Sequence, residues 1–198
     1  ELHYLAQYDG LTSLPNRLLA TDRLNRAIER SEPNGTMVAC LFLDIDDFKT
    51  INDTLGHAAG DQVILIAATR IKGITERTDT ISRLGGDEFL IIRENIPNET
   101  AAANLAQKII QELQRPFYIS GHEMNISASI GISMYPDHGR SSHDLIRLAD
   151  TAMYAAKDRG RRTLALYEPE MTANATHYMT RSLELRRGLD NDELVLHY

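Results

Sequence analysis

An unbroken apolar run, Met37 to Leu43 (MVACLFL), leads straight into Asp44-Ile45-Asp46-Asp47. A strand with one wet face alternates apolar and polar residues, whereas a run of strand length without alternation belongs to a central strand covered on both faces. That requirement calls for a sheet with helices packed against it, an α/β architecture. Acids at the carboxyl end of such a strand stand at the rim of the sheet, the usual location of a site in open α/β sheets.

A second stretch, Arg83 to Ile92 (RLGGDEFLII), puts Gly85-Gly86 between apolar residues suited to strands. The glycines can take the positive φ values of a tight hairpin turn, and their missing side chains let a bulky ligand approach the backbone. Asp87 and Glu88 sit at that tip. In isolation two glycines followed by acids describe an ordinary solvated turn. If the hairpin lies beside the Met37 strand, however, Asp44 and Asp87 converge at one rim. Two carboxylates with further positions left to water and phosphate describe a Mg²⁺ site better than a zinc or calcium cage. The matching substrate is a nucleoside triphosphate undergoing in-line displacement.

The rest of the chain supplies the framework. Residues 1–8 read as the last turns of an incoming helix, and DGLTSLPNR as a short loop with Pro15 in the first turn of the helix that follows, to about Arg30. Lys49, Asn52, His57 and Asp61 fall in a short helix and loop, before an amphipathic helix from Gly60 to Ile74. Asn98 and Glu99 open a helix ending before Pro116. Phe117 to Ser120 and Glu123 to Tyr135 read as a second hairpin. Ser141 and Asp144 form a capping box for a helix that Gly160 ends, and Thr163 to Tyr167 is a last strand. This order suits a mixed central sheet with a ferredoxin-like βαββαβ core flanked by helices.

Bulk properties exclude several classes. A net charge of -7 over 198 residues gives no broad field for polyanions, so no nucleic-acid surface is expected, and an anionic substrate needs local cations. The lone cysteine, Cys40, precludes an intrachain disulfide and reads as a buried inert thiol, which permits a reducing compartment. No apolar run reaches the roughly 18 residues of a membrane span, and no signal peptide opens the sequence. The expectation is a cytoplasmic fragment without membrane contact, whose parent is free to be membrane-anchored through regions ahead of it.

In chain order the loop DGLTSLPNR, FLDIDDFKTINDTLGHAAGD, RLGGDEF and AMYAAKDRGR together resemble the GGDEF family of diguanylate cyclases over about residues 8 to 168. The resemblance implies a fold similar to nucleotidyl cyclases and polymerase palms. It also implies condensation of two GTP into cyclic di-GMP with release of pyrophosphate, across a homodimer. Asp44, the Ile45 carbonyl and Asp87 become the ligands of Mg²⁺, with Mn²⁺ an alternative, and Glu88 the companion acid at the second metal or at the 3′-hydroxyl, the catalytic duties being left undivided between Asp87 and Glu88. Asn52 and Asp61 become the guanine-reading pair, with His57 and Phe48 lining the pocket, and Lys49, Lys157 and Arg161 the cations on the β and γ phosphates. A carboxylate accepts from guanine N1–H and N2–H together, while adenine leaves it unpaired at a cost on the order of 1 to 3 kcal/mol. Each cation is equally readable as a surface charge, His57 as a turn residue, and Asp46 and Asp47 as caps of the short helix.

Many family members carry an inhibitory product-binding motif, Arg-x-x-Asp, just ahead of the two glycines; here that window is Glu76-Arg77-Thr78-Asp79. Glu76 replaces the guanidinium with a charge that repels phosphate, so tight feedback inhibition is not expected. Residues 169–198 change character, and LELRRGLDNDELVLHY resembles the opening of an EAL phosphodiesterase domain without its catalytic acids. The domain reading is therefore an incoming helix at 1–8, a GGDEF domain at 9–168, and a linker with the start of an EAL domain at 169–198. A GTP-binding regulatory module controlling an attached phosphodiesterase is the competing function; the intact signature favours the enzyme.

Overall fold

A computed structural model describes residues 6–119 and 121–173. In chain order the elements are α1 (Arg17–Ser31), β1 (Met37–Ile45), α2 (Phe48–Leu55), α3 (His57–Ile74), β2 (Thr80–Gly85) and β3 (Glu88–Ile96). They are followed by α4 (Glu99–Leu113), β4 (Phe117–Ile119), β5 (His122–Met124), β6 (Ala128–Tyr135), α5 (Ser142–Asp158) and β7 (Leu164–Leu166). The main sheet has the order β2-β3-β1-β6-β7, antiparallel except for the parallel β6/β7 pair. The chain thus forms a mixed α/β fold, with the ferredoxin-like arrangement in β1, α3, β2, β3, α4 and β6, and β7 added at one edge.

The apolar run of β1 is explained by its place between β3 and β6 with both faces buried. Ala39, Leu41, Leu43 and Ile45 join the core under α3 and α4, where Val63, Ile64, Ile71, Ile109 and Ile110 meet them. Val38, Cys40 and Phe42 point the other way, onto Leu24 and Ile28 of α1 and Leu145, Ala149 and Met153 of α5. Burial pushes the Cys40 thiol up to about 12, so it stays protonated and unreactive.

On that second face Gly131 of β6 does what no other residue can. A Cβ there would overlap the Ala149 carbonyl oxygen and the Met153 amide nitrogen, so α5 lies directly on the strand backbone. The Ser133 hydroxyl reinforces this by donating to the Leu145 carbonyl at 2.7 Å. On the first face, Arg70 donates to the carbonyls of Leu113, Arg115 and Pro116 and stacks over Phe117, which ties the end of α4 to the β4–β5 hairpin.

Several expectations are corrected. Pro15 precedes α1 rather than opening it: Asn16 is the cap, its side chain accepting from Leu19 N–H, while the Pro15 carbonyl accepts from Arg83 N–H of β2. Helix α3 starts at His57, because Gly56, at φ +82°, ends α2 and lets the chain restart at once. The second hairpin is only β4 with β5; the apolar pattern after it belongs to β6, which pairs with β1 and β7. The break falls at residues 125–127, where the Ser127 carbonyl accepts from Asp46 N–H at 2.9 Å. Of the expected incoming helix, residues 1–5 lie outside the described residues; Tyr8 forms an isolated bridge with Pro15 instead. The first compact unit ends at Tyr167, and the tail reading falls almost wholly outside the described residues, the last of which, 169–173, are helical. No helix among the described residues is long and apolar enough to cross a membrane.

Candidate active site

Strand β1 carries Asp44 inside its ladder rather than beyond it, because Glu88 of β3 and Ser129 of β6 still pair with it on either side. Residues directly opposite in an antiparallel pair share a face, so Asp44 and Glu88 both stand on the α1/α5 side. Asp87 is drawn to the same rim by its carbonyl, which accepts from Ile45 N–H at 3.3 Å. Gly85 at φ +147° and Gly86 at φ +51° form the turn. Arg83 fixes its tip, donating to the Gly86 carbonyl through Nε and a terminal nitrogen and pairing with both oxygens of Asp9 at 3.1 Å.

Helix α5 supplies the cation. Lys157 Nζ lies 2.8 Å from Asp44 Oδ1. Two turns earlier on the same helical stripe stands Asp150, which the sequence reading missed; its seven-residue spacing from Lys157 was the available signal. Arg161 does not continue the helix with Lys157: α5 ends at Asp158, and Arg161, at φ +62°, reaches Asp47 at 3.8 Å.

The rim is electrostatically loaded. Burial raises the Asp44 pKa to about 6, the hydrogen bond from Lys157 opposing and the neighbouring Asp87 and Glu88 charges adding to it. Burial likewise raises Asp87, against its own backbone hydrogen bond and the pull of Lys157 and Arg83. Glu88 is raised by burial, with Arg17 opposing and Asp150 and Asp87 adding. Such a cluster of incompletely neutralised carboxylates is a place for added positive charge.

Asp46 behaves differently from its neighbours. Its buried carboxylate accepts from the hydroxyls of Ser127 and Ser129, both at 2.7 Å, and from Arg162 N–H at 3.1 Å. It therefore knits β1 to the start of β6 and does not cap α2. Asp47 occupies the cap position at φ +57° but makes no side-chain cap bond.

Asn52 on α2 and Asp61 on α3 come from two helices held close by Gly60, where a Cβ would overlap Asn52 Oδ1 and lie 3.2 Å from Phe48 Cζ. Phe48 is half-buried against the core, whereas Lys49, His57 and Asp61 are exposed. His57 and Asp61 are one turn apart on α3, so they share a face.

The Glu76 to Asp79 window is closed by its own chain. Arg93 of β3 holds both Asp79 oxygens through Nε and a terminal nitrogen, and lies 3.5 Å from Glu76. The Asp79 side chain is 2% exposed.

The five-stranded mixed sheet with its helices is the fold of nucleotidyl cyclase domains. Residues 6–163 match the family described as "Diguanylate cyclase, GGDEF domain", and the chain belongs to it. It is 46% identical over its whole length to the bifunctional diguanylate cyclase/cyclic di-GMP phosphodiesterase MucR of Pseudomonas aeruginosa, covering 29% of that protein. It is 39% identical to the cyclic di-GMP phosphodiesterase PdeR of Escherichia coli, again covering 29%. The structure of the GGDEF domain of TpbB (YfiN) from Pseudomonas aeruginosa superposes with a TM-score of 0.83 at 40% identity, over 86% of this chain and 99% of that one. The chain thus spans under a third of the length of these two curated relatives.

Proposed function

We propose that this chain is an active diguanylate cyclase domain, joining two GTP into cyclic di-GMP with release of pyrophosphate. The observation that carries the reading is the convergence of Asp44, Asp87 and Glu88 at one rim, with Lys157 2.8 Å from Asp44. Among the described residues no cluster of three or more His, Cys, Asp or Glu side chains is drawn together to cage a metal ion. The donor set is instead two carboxylates and the Ile45 carbonyl, hard oxygens that suit Mg²⁺, or Mn²⁺, with phosphate and water completing the shell. When bound, such an ion neutralises charge developing on the triphosphate.

The chain's own groups do the rest. Lys157 and Arg161, arriving from opposite ends of the helix-terminal loop, hold β and γ phosphate oxygens together with Lys49. Asn52 and Asp61 accept and donate along the guanine edge, with His57 and Phe48 bounding the pocket. Glu88, on the α1/α5 side of the rim, is the group placed to take the 3′-hydroxyl proton of the second GTP. That GTP is held by a second copy of the chain, so turnover requires a two-fold homodimer that brings the hydroxyl to the α-phosphate. In the parent the domain accompanies a cyclic di-GMP phosphodiesterase domain, a reading that the bifunctional name of MucR favours.

The test is incubation of the chain at high concentration with GTP and Mg²⁺, following pyrophosphate and cyclic di-GMP. Product is expected, and Asp87→Ala and Glu88→Ala should each abolish it. GTP binding without product, persisting when a dimerising helix is fused ahead of residue 6, would leave the regulatory module standing; the name of PdeR is what favours that second reading.

The arginine-sealed Asp79 gives a further expectation. Cyclic di-GMP should not bind tightly outside the active site, and micromolar binding by calorimetry that Asp79→Ala abolishes would refute this. Asp79→Ala should itself lower stability, because it strands Arg93 beside Glu76 alone.

A further inference from the structure

We propose that Arg17 is a positioning residue for Glu88, setting the carboxylate on the α1 side of the rim; the inference rests on the cyclase reading for what that position is used for. Arg17 is the first residue of α1, and one of its terminal nitrogens lies 3.4 Å from Glu88 Oε2. A cation at the positive end of a helix is unfavourably placed, and no acid in the first turn of α1 compensates it. A breach of a local rule of this kind marks a position chosen for something other than helix stability.

The surroundings say what it is chosen for. Arg17, Glu88, Arg147 and Asp150 stand among the residues lining a cavity of about 380 Å³ between α1 and α5. Within it Glu88 faces the negative charges of Asp150 and Asp87, and Lys157 is already engaged with Asp44. The other arginine, Arg147, pairs with Asp144 on its own helix at 3.6 Å. Arg17 is the cation paired with Glu88, the charge of Lys157 acting on it more weakly, and its backbone is anchored for the task. Asn16 N–H donates to the Gln7 carbonyl at 2.8 Å, and the Pro15 carbonyl accepts from Arg83 N–H at 3.0 Å, within the strand that leads into the turn. The start of α1 is therefore tied to the strand that carries the hairpin tip.

The ion pair is too exposed to matter for folding, with side chains 56% and 37% exposed. Misplacing a reacting group by about 1 Å, in contrast, can cost on the order of a hundredfold in rate. Arg17→Ala is therefore expected to lower kcat at least about tenfold while KM for GTP stays within about threefold and the melting temperature within about 2 °C. Arg17→Lys should recover much of the loss, because it restores the charge at nearly the same reach.

Two measurements decide it. Steady-state kinetics of the chain and both variants with GTP and Mg²⁺ give the first: a loss carried by KM, or no recovery with lysine, overturns the proposal. A metal-free crystal structure of Arg17→Ala gives the second, whether or not the chain turns over. A Glu88 carboxylate that has left the α1 side supports the proposal, and one that has not moved overturns it. A displaced Glu88 in a chain that makes no cyclic di-GMP would keep the positioning role and refute the cyclase reading alone.

Discussion

Asp44→Asn should melt at a higher temperature than the parent chain in chelator at pH 7.5, while losing at least about a hundredfold in turnover. The carboxylate is 12% exposed and its pKa stands at about 6 against 3.8 for an unperturbed group. Its folded-state pKa is the higher one, so the folded chain holds the proton more tightly than the unfolded chain. The stability this group contributes is present in full below pH 3.8 and is lost as pH rises through about 6. At pH 7.5 the ionised carboxylate then costs up to about 3 kcal/mol. Asparagine removes that cost but leaves Lys157 without its counterion, so a net gain of about 1 to 2 kcal/mol is expected, or about 3 to 6 °C. The gain should vanish by about pH 4, where the parent is protonated too. Millimolar Mg²⁺ with GTP should raise the melting temperature of the parent by mass action and leave the variant unmoved. A variant that melts lower than the parent at pH 7.5 would show that Asp44 is held for the fold rather than for a ligand.

Gly131→Ala should be among the most damaging single changes available to this domain. The added methyl group meets main-chain atoms of Ala149 and Met153, not the yielding end of a side chain. Relief requires α5 to lift off β6 along its length, which opens the core around Leu145, Ala149 and Met153. A loss of about 4 kcal/mol or more is expected, seen as a fall of about 10 °C or more in melting temperature or as insoluble protein. Gly73→Ala in α3 is the control: nothing lies within 4 Å of its Cβ position, and helix propensity alone predicts a gain of up to about 1 kcal/mol. Any folded Gly131→Ala protein should also turn over slowly, since α5 carries Lys157 to the rim. A near-normal melting temperature for Gly131→Ala would mean that α5 does not rest on the β6 backbone at Ala149 and Met153.

Much of this architecture was legible because single residues speak for their neighbours. The unbroken MVACLFL run can be buried on both faces only in mid-sheet, and Asn98 and Ser141 announce their helices through the caps they form. The break at residues 125–127 was not legible, because it is imposed by Asp46, far off in sequence, and an apolar pattern does not name its partner. The acids at the turn could be read from their own motif. Arg17 and Arg93 could not, since each acquires its meaning from a side chain brought near only by folding, Glu88 for the first and Asp79 for the second, whereas Asp150 had only its spacing from Lys157 to mark it. Lys157 and Arg161 look like a helical pair in sequence, but the positive φ of Arg161 sends them to the rim by separate routes.

Asp44 and Asp46 differ in sequence by one intervening residue and in fate by their bonding. The first is held at a cost that the proposed reaction would explain, while the second accepts from Ser127, Ser129 and the Arg162 amide. Lineages released from selection on turnover are therefore free to shed Asp44 with a gain in robustness, but not Asp46. Descendants of this domain kept only as scaffolds or nucleotide sensors should carry that asymmetric pattern of decay, which separates a retired enzyme from a collapsing gene.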